Sequence, residues 1–193
     1  MNLPNSVTLA RIFLIPIFMA LLLLKFPRGE ALFPYQDLLA AFIFILAAAT
    51  DGLDGYLARK RNQVTNLGKF MDPLADKLLV SAALISLVQL GEVPAWAAWA
   101  IIAREFVVTG LRAIAAVEKV VISASRPGKA KTVFQIVAIS AILLKDWPLS
   151  LFGIYISQIF GFDVGHFLLY VALVLTMISG FDYLVKARKI LRK

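Results

Sequence analysis

The sequence has no cysteine, a single histidine and few charged residues. Of its 193 residues, 17% are charged and 61% are hydrophobic, whereas a soluble domain contains about 25% charged residues. The absence of cysteine excludes disulfides, thiolate metal sites and cysteine nucleophiles. The low charge and a mean hydropathy of +0.84 exclude a globular cytosolic enzyme, a disordered tail protein and a large multidomain receptor. We therefore expect an all-α integral membrane protein.

The few charges are unequally divided. There are 20 Lys and Arg residues against 12 Asp and Glu residues, which gives a formal charge of +8. In a chain this apolar, the positive excess indicates contact with anionic lipid headgroups at the cytoplasmic face and no nucleic-acid partner.

Apolar runs separated by charged residues, proline and glycine predict six spanning helices in one membrane domain over residues 1–193, because each span takes about 20 residues. The predicted helices cover residues 6–24, 35–60, 68–90, 94–117, 127–144 and 164–187. The segment before the first helix is too short and too poor in basic residues for a cleaved signal peptide, so we expect that helix to remain. Residues 146–163 are open to two interpretations, a loop or a half-buried interfacial helix.

The positions of the charges predict the orientation. The loops after the first, third and fifth predicted helices, together with Asp37 at the start of the second helix, carry three basic and five acidic residues, a net −2, so the rest of the chain carries +10. By the positive-inside rule, both termini lie on the cytoplasmic side of the cell (inner) membrane. Trp96, Trp99 and Trp147 fall near the predicted outer ends, where an aromatic belt is expected.

Four aspartates stand in these apolar segments, where a charge is costly and usually serves function. Asp51 and Asp54 lie near the end of the second predicted helix, and Asp72 and Asp76 lie near the start of the third. Spacings of three and four residues put each pair on one helix face. Because the connecting loop is short, the two helices are antiparallel neighbours. We expect the four carboxylates to converge in a polar cavity near the cytoplasmic face.

Four carboxylates at that depth need nearby positive charge to remain ionised. Oxygen-only ligands favour Mg²⁺, Mn²⁺ or Ca²⁺, and a pair of such ions commonly serves attack at phosphorus. The alternative is a structural network of ion pairs with neighbouring basic side chains, namely Arg59, Lys60, Lys69 and Lys77.

The aspartates belong to a longer pattern, because residues 51–76 read D-x2-D-G-x2-A-R-x8-G-x3-D-x3-D. This pattern resembles, without a departure, the signature of the CDP-alcohol phosphotransferases, which are integral membrane enzymes of phospholipid synthesis. The segments LPNSVTLARIFLIPI, NLGKFMDPLADKLL and AREFVVTGLR resemble the bacterial branch of this family that uses glycerol phosphate.

The resemblance implies transfer of a phosphatidyl group from CDP-diacylglycerol to the hydroxyl of sn-glycerol 3-phosphate, with release of CMP. It also implies a homodimer and a dependence on Mg²⁺ or Mn²⁺, with two ions bound. The implied metal ligands are Asp51, Asp54, Asp72 and Asp76, of which Asp76 is also the implied general base. The implied contacts to the CDP moiety come from Asp54, Gly55, Ala58, Arg59, Gly68 and Asp72.

Basic residues in the fourth and fifth predicted helices indicate a site for the acceptor. Arg104 and Arg112 lie eight residues apart in the fourth helix, and Lys129 and Lys131 open the fifth. A doubly charged acceptor needs a cationic pocket, and arginine offers a planar fork to phosphate. Our hypothesis is that Arg112 and Lys129 bind the acceptor phosphate, with Lys131 and Arg104 in support.

Some of these basic residues also have structural explanations. For Arg104 the alternative to binding the acceptor is a salt bridge with Glu105 or Asp182. For Lys131 the alternative is a side chain that extends to the membrane interface. Arg11, charged inside the first predicted helix, reaches either the diphosphate or a lipid headgroup.

Two other functions are compatible with intramembrane aspartates. A sibling enzyme would use serine, inositol or another alcohol as the acceptor, and the residues around the acceptor decide between these. A divalent-cation transporter would continue its polar residues toward the outer face, whereas the outer halves of the second and third predicted helices are almost entirely apolar.

Overall fold

The computed structural model describes residues 3–25, 32–33, 35–60, 66–117, 126–145 and 161–191. These residues form six α-helices, namely α1 Leu3–Leu23, α2 Gln36–Lys60, α3 Asn66–Gln89, α4 Ala95–Val117, α5 Arg126–Leu144 and α6 Val164–Leu191. Each predicted helix has a counterpart whose ends differ from the prediction by at most four residues. The choice between a loop and an interfacial helix for residues 146–160 falls outside the described residues.

The helices pack around an apolar core to which all six contribute. α1 packs on α2 and α3, α4 packs on α3 and α6, and α5 packs on α2, α3 and α6. Phe18 of α1 and Phe44 of α2 are fully buried, with their ring centroids 5.8 Å apart. Leu84, Ile101 and Ile139 bring α3, α4 and α5 into the same core. This packing places Asp76 of α3 beside α4 and α5.

Two of the described helices are long and apolar enough to cross a membrane, over Ser6–Leu23 in α1 and Val164–Arg188 in α6. The apolar stretches Gln36–Thr50 and Ala130–Leu144 are shorter, since charged residues stand at one end of α2 and α5. Many large apolar side chains point outward, such as Phe13, which is 69% exposed. Exposed apolar surface on this scale marks contact with lipid or with another apolar partner.

The turn between α3 and α4 holds the end of the bundle opposite Asp76. Gly91 has a φ of +77°, and the amide of Glu92 donates to the carbonyl of Leu87 at 3.0 Å, so the turn needs the left-handed conformation that glycine adopts without strain. Glu92 then contacts two other helices. Its carboxylate lies 3.3 Å from Lys145 Nζ, and its carbonyl oxygen lies 2.6 Å from His166 Nε2.

Asp163 caps the first turn of α6 at this same end. Its Oδ1 accepts a hydrogen bond from the backbone N–H of His166 at 3.0 Å, which is the standard cap of an exposed helix donor. Burial of the Asp163 carboxylate disfavours the ionised form and raises its pKa. Hydrogen bonds from His166 and Gly165 favour the ionised form by more, so the pKa of Asp163 lies below the ordinary 3.8. The charged cap is therefore fully stabilising above that ordinary pKa and is lost as the pH falls through the lowered value.

We expect Asp163→Ala to destabilise the protein by about 1 kcal/mol, because the first turn of α6 loses its cap. Thermal unfolding of the purified protein in detergent measures the change. Asp163→Asn is the matched control, since asparagine caps about as well as aspartate, and it should unfold close to the wild type. An equal loss of stability in both variants would contradict the capping role.

Candidate active site

The four aspartates lie on two described helices, at the positions along the chain that the sequence predicts. Asp51 and Asp54 lie in the last three turns of α2, Asp72 and Asp76 lie in the first three turns of α3, and the two helices pack on each other. The side chain of Asp76 belongs to the described part of the structure. Other predicted site residues have side chains outside that part, and their roles stay predictions: Asp51, Asp54, Gly55, Ala58, Arg59, Gly68, Asp72 and Lys129.

A small cavity with both polar and apolar walls lies next to Asp76, between α3, α4 and α5. Its polar lining consists of Asp76, Lys77, Ser81, Glu105, Lys131, Thr132 and Gln135. The volume is about 20 Å³, which is room for one water molecule. Gln135 is 2% exposed, and its Nε2 has no hydrogen-bond partner in the described part of the chain. Because an unpaired buried amide is costly, the cavity suits a polar occupant.

Two cations from different helices share the carboxylate of Glu105. Arg104 Nη1 lies 3.0 Å from Glu105 Oε1, and Lys131 Nζ contacts the same oxygen. The side chains of Arg104 and Lys131 are 8% and 6% exposed. Arg104 also donates from Nη2 to Ser179 Oγ at 2.6 Å. A Cβ at Gly180 would come 3.0 Å from Arg104 Cγ, so this glycine allows α6 to approach α4 closely.

Tyr183 of α6 lies against both arginines of α4. The guanidinium carbon of Arg112 is 5.1 Å from the centroid of the Tyr183 ring, and that of Arg104 is 5.8 Å away. Arg112 Nη2 also donates a hydrogen bond to the Tyr183 hydroxyl at 2.5 Å. Tyr183 is 2% exposed, whereas Arg112 is exposed. The ring is therefore a fixed, buried support for a guanidinium at the surface.

The structure brings three of the four predicted acceptor residues close to Asp76. Lys131 lines the same cavity as Asp76 and interacts electrostatically with it. Arg104 shares Glu105 with Lys131, and Arg112 shares Tyr183 with Arg104. The carboxylate and the three cations thus form a continuous group at one end of the bundle.

The structural explanations considered for the basic residues have different outcomes in the structure. The Arg104–Glu105 contact is present, whereas Asp182 pairs with Lys186 at 2.6 Å. The extended position considered for Lys131 is wrong, because its amine is buried against Glu105. Arg11 is 2% exposed inside the bundle, which does not fit contact with a lipid headgroup. Lys77 Nζ donates to the carbonyl of Pro73 at 2.8 Å and also interacts with Asp76.

The sequence interpretation missed Ser179, Tyr183 and Gln135. Ser179 and Tyr183 are four residues apart in α6, and residues at that spacing share a helix face. Two polar side chains on one face of an apolar helix mark a surface that meets other polar groups. Gln135 lies four residues after Lys131 on α5, so the same spacing would have included it.

A metal site is not tested by the described residues. Among their side chains, no three His, Asp or Glu residues come together, and Asp51, Asp54 and Asp72 lie outside that group. The chemistry of the predicted set is uniform, since all four ligands are carboxylates on two packed helices. Such a donor set suits hard divalent cations.

Comparison with known proteins extends over nearly the whole chain. The CDP-alcohol phosphatidyltransferase family model matches residues 1–178. The CDP-diacylglycerol--glycerol-3-phosphate 3-phosphatidyltransferase of Bacillus subtilis (strain 168) is 50% identical over 190 residues, which cover 96% of this chain and 94% of that protein. The protein of the same name from Rickettsia bellii (strain RML369-C) is 39% identical over 189 residues, covering 97% and 96%. These matches confirm the resemblance carried by the aspartate pattern.

Proposed function

Since the chain belongs to the CDP-alcohol phosphatidyltransferase family, we propose that it transfers a phosphatidyl group from CDP-diacylglycerol to sn-glycerol 3-phosphate. The products are phosphatidylglycerophosphate and CMP. In this proposal residues 1–193 form one catalytic membrane domain, which is supported by the alignment of relatives of the corresponding name with nearly the full chain. The observation that carries the proposal is the cavity that Asp76 shares with Lys131, beside Arg104 and Arg112.

The protein is a membrane enzyme, and its six helices span the bilayer with both termini and the site on the cytoplasmic side of the cell membrane. The lengths of α1 and α6 and the outward-facing apolar side chains support this arrangement. The net +10 outside the three outer loops and Asp37 supports the orientation. The homodimer stays a prediction.

Asp51, Asp54, Asp72 and Asp76 hold two divalent ions, Mg²⁺ or Mn²⁺, in this proposal. The all-oxygen donor set on the packed helices α2 and α3 supports it. When bound, such ions polarise the diphosphate and neutralise charge on the departing CMP. The CDP moiety lies against the remaining motif residues, with contacts from Asp54, Gly55, Ala58, Arg59, Gly68 and Asp72.

Asp76 acts as the general base for the acceptor. Its carboxylate takes the proton of the glycerol phosphate hydroxyl as the new oxygen–phosphorus bond forms and the bond to CMP breaks. Arg112 and Lys129 bind the acceptor phosphate, and Lys131 and Arg104 support them. The ion pairs with Glu105 support this role for Arg104 and Lys131, because a buried cation needs a counter-charge to remain charged.

The charge around Asp76 favours a phosphorylated acceptor over a neutral one. The described side chains of this group are four basic and two acidic, with a formal charge of +2, namely Lys77, Arg104, Arg112, Lys131, Asp76 and Glu105. A phosphate monoester carries a charge of about −1.5 to −2 at pH 7, so it would neutralise this group. Serine and inositol bring no such anion.

The purified protein in detergent, with Mg²⁺ or Mn²⁺ and CDP-diacylglycerol, is the direct test. We expect CMP release with sn-glycerol 3-phosphate and little with serine or inositol. If no alcohol yields CMP, the enzyme assignment fails. If serine or inositol outperforms glycerol 3-phosphate, the protein is a sibling with another acceptor.

A further inference from the structure

Tyr183 occupies a position that no part of the proposed chemistry uses. It lies near the cytoplasmic end of α6, 71 residues from Arg112 in sequence, yet its hydroxyl accepts the Arg112 hydrogen bond at 2.5 Å. Its ring faces the guanidinium groups of Arg112 and Arg104 at 5.1 and 5.8 Å. At 2% exposure, the ring has no freedom to follow a moving side chain.

The two arginines and Lys77 repel one another electrostatically. An aromatic face carries negative charge density and attracts a cation placed over it. The Tyr183 ring therefore offsets part of the repulsion between Arg104 and Arg112. Without that ring, Arg112 would be free to turn away from the other cations into water.

The geometry also leaves Arg112 able to bind an anion. A guanidinium has five N–H donors in one plane, and the hydrogen bond to Tyr183 uses Nη2. Arg112 is exposed, so its other donors can reach a ligand. Because the guanidinium contacts both the ring and the hydroxyl of Tyr183, these contacts restrict its orientation and the direction of its remaining donors.

We propose that Tyr183 is a positioning residue that holds the Arg112 guanidinium in the orientation that binds the phosphate of the acceptor. The inference rests on the proposed function and adds to it a determinant of acceptor affinity on α6. Tyrosine supplies both the aromatic face and the hydrogen-bond acceptor, whereas phenylalanine lacks the acceptor.

Tyr183→Phe tests the hydroxyl while it keeps the ring. We expect the KM for glycerol 3-phosphate to rise roughly tenfold, the loss expected for one hydrogen bond to a charged group. The kcat and the KM for CDP-diacylglycerol should stay within about twofold of wild type, because neither depends on Arg112. Tyr170→Phe is the matched control, an exposed tyrosine on the same helix, and should leave all three constants unchanged.

A double-variant cycle separates positioning from general support of the fold. Arg112→Gln alone should raise the same KM at least as much, and adding Tyr183→Phe to it should produce no further rise. Additive effects, or an equal rise in both KM values, would overturn the proposal. If Tyr183→Phe does not fold, Arg112→Lys is tested in its place. The lysine ammonium keeps the charge but lacks the planar guanidinium that contacts both the ring and the hydroxyl of Tyr183. An unchanged KM in that variant also overturns the proposal.

The two levels of inference fail differently. A wild-type protein that releases no CMP with glycerol 3-phosphate refutes the proposed function and the role of Tyr183 with it. A wild-type protein with that activity, and a Tyr183→Phe variant whose acceptor KM equals the wild-type value, refutes the positioning role alone.

Discussion

Asp76→Asn is expected to lower the turnover number for CMP release by about 10²–10⁴-fold, the range for loss of a general base. Asparagine keeps the size of the side chain and its place beside Lys77 and Lys131 in the cavity, but it cannot take the proton of the acceptor hydroxyl. Since the other proposed contacts to CDP remain, nucleotide binding should persist at least in part. Single-turnover kinetics and equilibrium binding of CDP measure the two quantities separately.

Asp37→Asn is the control for this experiment. Asp37 lies in the first turn of α2, away from Asp76, and pairs with Lys25 at 3.3 Å. Its replacement should leave turnover unchanged. Wild-type turnover in Asp76→Asn would rule out both roles assigned to this aspartate, as base and as metal ligand.

Glu105→Ala is expected to destabilise the fold by about 3–5 kcal/mol, the usual cost of removing one partner from a buried ion pair. The substitution leaves the side chains of Arg104 and Lys131, 8% and 6% exposed, without their shared carboxylate. For a chain of this length the change corresponds to a fall in melting temperature of roughly 6–20 °C. Thermal unfolding of the purified protein measures it.

Glu92→Ala is the matched comparison, because Glu92 is also a glutamate paired with a lysine. Its partner Lys145 is 71% exposed and lies 3.3 Å away, and exposed pairs contribute at most about 1 kcal/mol. Equal losses in the two variants would show that Glu105 is no more than a surface ion pair. A similar result would also weaken the case for charged Arg104 and Lys131 beside Asp76.

Hydropathy predicted the helices well, because apolar runs are long and the turns between them are charged or contain glycine and proline. The largest difference is at α6, which continues to Leu191 although the apolar run stops near residue 187. A helix is held by backbone hydrogen bonds, so it extends through basic residues that lie beyond the hydrocarbon. The sequence marks the lipid-embedded part of a helix more clearly than its ends.

The cross-helix contacts of the site were less accessible from the sequence. Spacing along one helix predicted a pair of Asp72 and Asp76, and both residues lie in α3. The positions of the basic residues identified Arg104, Arg112 and Lys131. The contact of Arg112 with Tyr183 depends instead on how α4 packs against α6. Local periodicity carries no information about which residues of two distant helices meet.

α6 has polar contacts near both of its ends, at the Asp163 cap and at Tyr183. Tyr183 follows Asp163 by 20 residues, which corresponds to roughly 30 Å of helix at about 1.5 Å per residue and equals the thickness of a bilayer's hydrocarbon core. If Asp163 lies at one boundary of that core, Tyr183 lies at the other. Arg112 and Asp76 then lie at the depth of the lipid headgroups, where the diphosphate of CDP-diacylglycerol meets a water-soluble acceptor while its acyl chains stay in the membrane.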